Sequence, residues 1–450
     1  MSKRNLILLI IIIIIIAIGL GFFFLNKSSN QADDNTEGTN FFTDFFPFGK
    51  SNTVTPADNT NGEDAPGSLP DTDVSKQSFI LKKVSSFPVA GYIVFMKERF
   101  KEIPNPSQTL PERGDISELS PSGEVRGGPT PPESESAPTL RYVDRITGNI
   151  YQTFMDNIDE RKFSSTIIPR VYEAHFGDNG ESVVMRYLKD DGKTIESFLG
   201  NLPKEYLGAD AAGTNEVRGT FLPDNISDMS ISPDTSKTFY LFNTGDVSIG
   251  AILNTQTNTK VQVFSSPFTE WLSSWPNDGM ITVTTKPSTN VLGYMYSINP
   301  SNNDFNKVLG NINGLTTLTS PDGKKVLYGD NGLSLTIYDI NTTTSMPIGL
   351  KTLPEKCVWG NVGDIVYCAV PKYLSPQVDY PDSWYQGETS FSDEIWKIDA
   401  INTSTEMLLD LTSAPNGEDI DAIKLSLDEN ENYLSFINKK DSYLWELKLK

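Results

Sequence analysis

From about residue 78 to the end of the chain, apolar and polar positions alternate in short runs separated by turn residues. That is the period-two pattern of half-buried strands, and no stretch there predicts an amphipathic helix. The stretch 314–340 carries the pattern most clearly. Residues 315–319, Leu and Thr only, predict a first strand. Ser320-Pro321-Asp322-Gly323 predicts a turn, because proline presets φ and glycine accepts a positive φ. Residues 325–328 predict a second strand and Asp330-Asn331-Gly332 a second turn. Residues 333–340, rich in β-branched and aromatic side chains, predict a third strand.

The turn between first and second strands recurs. It reads Gly177-Asp178-Asn179-Gly180, Ser232-Pro233-Asp234, Pro276-Asn277-Asp278-Gly279, then Ser320-Pro321-Asp322-Gly323, Gly360-Asn361-Val362-Gly363 and Ser426-Leu427-Asp428, at intervals of about 40 to 66 residues. An earlier copy is Ser85-Ser86-Phe87-Pro88-Val89-Ala90-Gly91. Seven units with a basic period near 40–45 residues predict an all-β fold, a seven-bladed β-propeller of four-stranded blades. The expected blades are 78–155, 166–225, 226–266, 268–311, 313–352, 354–412 and 419–450. Blade 7 shows three strands, at 421–427, 433–438 and 443–449, so its outer strand is either absent or supplied by residues before Ser78.

Two blades carry long insertions, at about 97–138 in blade 1 and 371–392 in blade 6. Both are assigned between second and third strands. They are therefore expected on one rim, flanking blade 7, with any ligand bound there or at the channel mouth below.

The run Ser320-Pro321-Asp322-Gly323-Lys324-Lys325-Val326-Leu327-Tyr328, followed by Leu335-Thr336-Ile337-Tyr338-Asp339-Ile340, resembles the WD40-like repeat of TolB-type β-propellers. The same repeat occurs in the propeller domains of dipeptidyl-peptidase and prolyl-oligopeptidase proteins. The resemblance covers about 78–450 and is close only at 226–255 and 314–340. It implies partner binding or substrate gating. The chain departs from the peptidases: it has no Gly-x-Ser-x-Gly elbow, and no hydrolase domain is expected after the last propeller strand at Lys450.

The first 76 residues follow another pattern. A basic start, residues 1–4, precedes an apolar segment at 5–25 long enough to span a bilayer. The exit Asn26-Lys27-Ser28-Ser29 lacks a small-x-small cleavage site. An uncleaved transmembrane signal anchor is expected, with Lys3 and Arg4 cytoplasmic and the propeller extracytoplasmic. Residues 26–76, rich in Asn, Asp, Thr, Ser, Gly and Pro, predict a disordered acidic linker. Within it, Phe41-Phe42-Thr43-Asp44-Phe45-Phe46-Pro47-Phe48 reads either as a docking segment on the chain's own domain or as a contact for lipid or a partner.

Charge and rare residues narrow the function. A net charge of −21, with no arginine after Arg218, argues against a nucleic-acid partner. The same lack of arginine in blades 4 to 7 argues against a sialidase. Two cysteines exclude a four-thiolate zinc site, and no Asp-rich stretch follows the calcium-loop pattern. No metal, cofactor or catalytic residue is assigned. The acceptor patterns at Asn225 and Asn341 are expected by chance in an Asn- and Thr-rich chain.

The leading ligand-binding candidates are Asp379, Tyr380, Asp382, Trp384, Tyr385 and Gln386 of the blade 6 insertion. Acids and aromatics on a loop over a rigid scaffold suit recognition of a sugar or peptide. The alternative is that the aromatics fold inward and plug the channel mouth. Deleting 376–390 is expected to abolish binding and leave the melting temperature within a few degrees. His175, the one histidine, lies at the end of a first strand near Glu173 and Asp178, and reads as a hydrogen-bonded structural residue rather than a general base. Cys357 and Cys368 fall opposite each other in a hairpin centred on the turn at 360–364, within disulfide reach. A disulfide and a pair of buried thiols both fit that placement.

The functional expectation is a membrane-anchored extracytoplasmic propeller that binds a protein, peptide or envelope glycan. The alternative is a hydrolase of an envelope polymer working with carboxylates at the propeller mouth.

Overall fold

The computed structural model describes residues 79–101, 133–203, 205 and 216–450. The anchor at 5–25, the linker and the Phe41–Phe48 segment lie outside the described residues. No helix among the described residues is long and apolar enough to cross a membrane.

Among the described residues there are seven four-stranded antiparallel sheets. The first strands of neighbouring blades contact one another, blade 5's through the turn Pro354–Lys356 that leads into blade 6's, and that of blade 7 contacts that of blade 1, so the sheets close into a ring around a central channel. The chain is a seven-bladed β-propeller. The inner strands are Val89–Phe100, Val171–Gly177, Ile226–Ile231, Trp271–Asn277, Thr316–Thr319, Cys357–Trp359 and Ala422–Leu427. Apolar faces pack blade on blade. Phe239, Leu241 and Phe264 of blade 3 bury against Trp271, Trp275, Ile281 and Val283 of blade 4. Leu327, Leu335 and Ile337 of blade 5 bury against Trp359, Val366 and Ile398 of blade 6.

The Ser-Pro-Asp turns show why the sequence repeats. In blade 5 the Ser320 hydroxyl donates to Asp322 Oδ1 at 2.6 Å and accepts from Lys325 N at 3.0 Å, while Gly323 takes φ +70°. Ser232 and Asp234 make the same bond at 2.6 Å in blade 3. A serine and an aspartate two residues apart satisfy the turn's own backbone, so the motif sets a reversal wherever it occurs.

Six of the seven expected turns join first and second strands; the one at 85–91 does not. Residues Ile80–Lys83 form the outer strand of blade 7, antiparallel to Leu444–Lys448, with Leu81 opposite Leu447 and buried in the blade 6–blade 7 core. Blade 7 is thus closed by the N-terminal side of the domain. The closing strand lies at 80–83 rather than before Ser78, and blade 1 begins at Val89 rather than 78.

This one-strand shift changes the placement of an insertion. Blade 1's first strand ends at Phe100 and its second begins at Ser134, so its insertion joins first and second strands. In blade 6 the insertion joins Ile365–Pro371 to Asp393–Asp399, the second and third strands, as expected. Strands alternate in direction within a blade, so first-to-second and second-to-third connections leave on opposite faces. The two insertions depart from opposite faces, and the shared rim is overturned.

Candidate functional site in the central channel

The blade 6 insertion folds inward. Tyr380 and Trp384 are buried with Leu333, Leu353 and Phe391 in a small core of their own. Neither leaves a free ring face for a sugar. Asp382, on the one-turn helix Asp382–Tyr385, accepts hydrogen bonds from Ser288 Oγ at 3.0 Å and from Thr289 N at 3.2 Å. Both lie on the second-to-third connection of blade 4, so the insertion reaches past blade 5 to blade 4. Asp379 and Gln386 are exposed. Of the six residues, Tyr385 alone lines a cavity of the channel. With Tyr380 and Trp384 in a core, deletion of 376–390 removes packing, and the expectation of an unchanged melting temperature does not survive.

Beneath the insertion lies a fully buried ion cluster. Lys356 Nζ sits 2.8 Å from Asp393 Oδ2, donates to Asp421 Oδ1, and lies 2.9 Å from the carbonyl of Ala422. The Trp384 indole and the Phe391 amide both donate to Asp421 Oδ2. Burial raises the Asp393 carboxyl to about 6, against the lowering effect of Lys356. Every charge here has a partner, and the cluster clamps the insertion to blade 7.

Apart from Tyr385, the channel is lined by residues nominated by no motif. A cavity of about 340 Å³ has Asp228, Ser273, Ser274, Thr316, Glu355, Tyr385 and Lys424 among its walls. Asp228 accepts from Ser273 Oγ at 2.7 Å and from Ser273 N at 2.5 Å. Burial pushes its carboxyl up to about 6, against those hydrogen bonds. Glu355 accepts from the Tyr385 hydroxyl, and burial raises it above the usual carboxylate range although it faces the lumen. Burial also raises the Tyr385 phenol well above its ordinary value, which keeps it a donor.

A second cavity of about 300 Å³ is lined by Tyr92, His175 and Ile231, and shares Lys424 with the first. His175 Nε2 lies 3.3 Å from Glu173 Oε1. Burial would raise the Glu173 carboxyl, but His175, Lys424 and Arg186 outweigh it and hold it well below the usual range. Asp178 is elsewhere, accepting from Thr255 and Gln256. Lys424 takes φ +54°, and its carbonyl accepts from the Tyr92 hydroxyl.

Glu173, Asp228 and Lys424 share one feature. Each is the third residue of its inner strand, at a break in strand register. A bulge re-aims a side chain, and Asp228 and Lys424 line the channel cavities. Charged residues at the third position of first strands were the legible signal for this site. Glu355 precedes the inner strand of blade 6 and shares none of it.

Cys357 and Cys368 are register partners with Cα atoms 4.0 Å apart and Sγ atoms at 2.09 Å, a disulfide spanning the first two strands of blade 6. Among the described residues no group of three or more His, Cys, Asp or Glu is placed to hold a metal ion.

No protein-family model matches the chain, and no curated protein matches it in sequence. Solved structures do. TolB from Acinetobacter baumannii is 12% identical, with a TM-score of 0.36; the match covers 68% of this chain and 61% of that one. Oligogalacturonate lyase from Vibrio parahaemolyticus is 9% identical over 69% of this chain and 86% of that one, TM-score 0.46. An oligogalacturonate lyase in complex with manganese is 10% identical with the same coverage, TM-score 0.44. The propeller fold rests on the strand topology above.

Proposed function

We propose that the protein is a membrane-anchored extracytoplasmic binding module that takes part of a protein, peptide or envelope glycan into the central channel. The observation that carries this reading is the 340 Å³ cavity, whose walls combine two carboxyls, a phenol, an amine and several hydroxyls. Such a volume lies at the low end of the range for small-ligand sites, roughly 300–1,000 Å³, and convergent polar groups fix orientation in them. The apolar run 5–25 after Lys3 and Arg4 supports the anchor and its orientation. The test compares binding of envelope peptides and glycans to the full chain and to Ser274→Trp, which fills the cavity. Loss of binding in the variant supports the reading; undiminished binding places the site elsewhere. Protease added to intact cells should digest the chain beyond about residue 30, and full protection would refute the topology.

A second reading is a hydrolase of an envelope polymer. It is favoured by Asp228 and Glu355 lining one cavity with both carboxyls raised by burial, as a general acid requires. Turnover of such a polymer that disappears in both Asp228→Asn and Glu355→Gln would establish it.

A further inference from the structure

Asp228 and Glu355 line the larger cavity without a counter-ion. Among the described residues neither carboxyl forms an ion pair. Their hydrogen bonds come from neutral donors, the amide and hydroxyl of Ser273 and the phenol of Tyr385. The surrounding cations are engaged elsewhere; Lys439, whose charge also acts on Glu355, donates from Nζ to the carbonyl of Trp384. Lys424 shares the cavity wall, but its Nζ lies 3.4 Å from Glu173 Oε1. Lys356 is held by Asp393 and Asp421. Asp228 is half-buried and Glu355 opens onto the lumen, and a carboxylate in a partly enclosed cavity without a counter-ion is costly. An arriving cation would remove that cost.

The size of the cavity selects the kind of cation. About 340 Å³ is far more than a bare ion fills, and no metal-holding group was found among the described residues. The wall also offers Thr316 Oγ1, buried and without a hydrogen-bond partner among the described residues. A primary ammonium brings three N–H donors and no acceptor, which suits a wall of acceptors. The net charge of −21 favours approach of a cationic group from solution.

We propose that the channel cavity binds a primary ammonium group, from the amino terminus or a lysine side chain of a peptide, with Asp228 and Glu355 as its carboxylate acceptors and Thr316 as a hydroxyl acceptor. The proposal rests on the channel being the binding site and names the chemistry of what enters it.

Calorimetry on the full chain at pH 7.5 tests it with four probes. They are a short lysine-free peptide with a free amino terminus, an N-acetylated peptide with one internal lysine, the same peptide with that lysine acetylated, and a neutral oligosaccharide. At least one of the first two binds, and which one identifies the source of the ammonium. Acetylating the remaining amine weakens binding at least tenfold. Asp228→Asn and Glu355→Gln each weaken it at least tenfold with the melting temperature retained, and Glu388→Gln on the exposed insertion does not. Should one carboxyl variant fail to fold, the other carries the test. The proposal is overturned if no probe binds, if the fully blocked peptide or the sugar binds as tightly as the amines, or if a folded carboxyl variant keeps full affinity. A blocked probe that binds and is expelled by Ser274→Trp would end the ammonium proposal and leave the channel reading standing. One unaffected by Ser274→Trp would end both.

Discussion

The indole of Trp384 donates a hydrogen bond of 2.9 Å to Asp421 Oδ2, and this bond ties the blade 6 insertion to the start of blade 7's inner strand. The ring also packs with Lys356 Nζ 5.6 Å and Lys439 Nζ 4.0 Å from its centroid. A side chain nominated for its exposed ring turns out to hold the channel mouth together.

Trp384→Phe should keep most of the packing and lose the bond to Asp421, at a cost of about 1–3 kcal/mol. Lys356→Met should cost more, about 3–5 kcal/mol, because Asp393 and Asp421 stay buried without their cation. Urea unfolding of the two variants measures both, and a smaller loss for Lys356→Met than for Trp384→Phe would contradict the clamp.

Glu446 should make stability fall with rising pH. It is buried on blade 7's third strand with Oε2 unpartnered among the described residues, and burial raises its carboxyl to about 8 from 4.5. The folded state therefore keeps a proton that the unfolded chain releases near 4.5. Its contribution is most favourable below that pH and is lost as pH rises through 8. Glu446→Gln removes the effect, so the variant's unfolding midpoint should gain on the parent's between pH 4.5 and 8. A constant difference across that range would show that Glu446 does not titrate there.

Cys357 and Cys368 should yield no alkylatable thiol after denaturation without reductant. With a sequence separation of 11, the bond closes a short loop, and replacing both cysteines with serine should cost roughly 2–3 kcal/mol. Two alkylated thiols in the mass spectrum would rule the bond out.

The closing strand should matter more than its four residues suggest. Leu81 is its one buried side chain, and Leu81→Ala should cost about 2–5 kcal/mol. Lys83→Ala, which removes an ion pair with the half-exposed Glu418, should cost at most about 1 kcal/mol. Deleting 80–83 bares the edge of Leu444–Lys448, so light scattering should detect association.

The features readable from the residues alone are local: where strands run, where they reverse, and how many times the unit repeats. Ser320-Pro321-Asp322-Gly323 satisfies its own backbone within six residues, so its turn is legible without knowledge of the rest of the chain. The opposition of Cys357 and Cys368 is legible for the same reason, because one hairpin sets it. Tertiary structure decided whatever depends on a distant partner. Ile80–Lys83 looks like any short strand, and only its pairing with Leu444–Lys448 assigns it to blade 7 instead of blade 1. That one-strand slip reverses the face from which the blade 1 insertion departs. The channel wall has the same character. Asp228, Glu355 and Lys424 come from blades 3, 6 and 7, and ring closure alone brings them to one cavity. Trp384 and Tyr380 carry the composition of a recognition loop. Their burial was decided by Leu333 and Leu353, apolar surface that the insertion, with its own Phe391, covers only once the blades stand side by side.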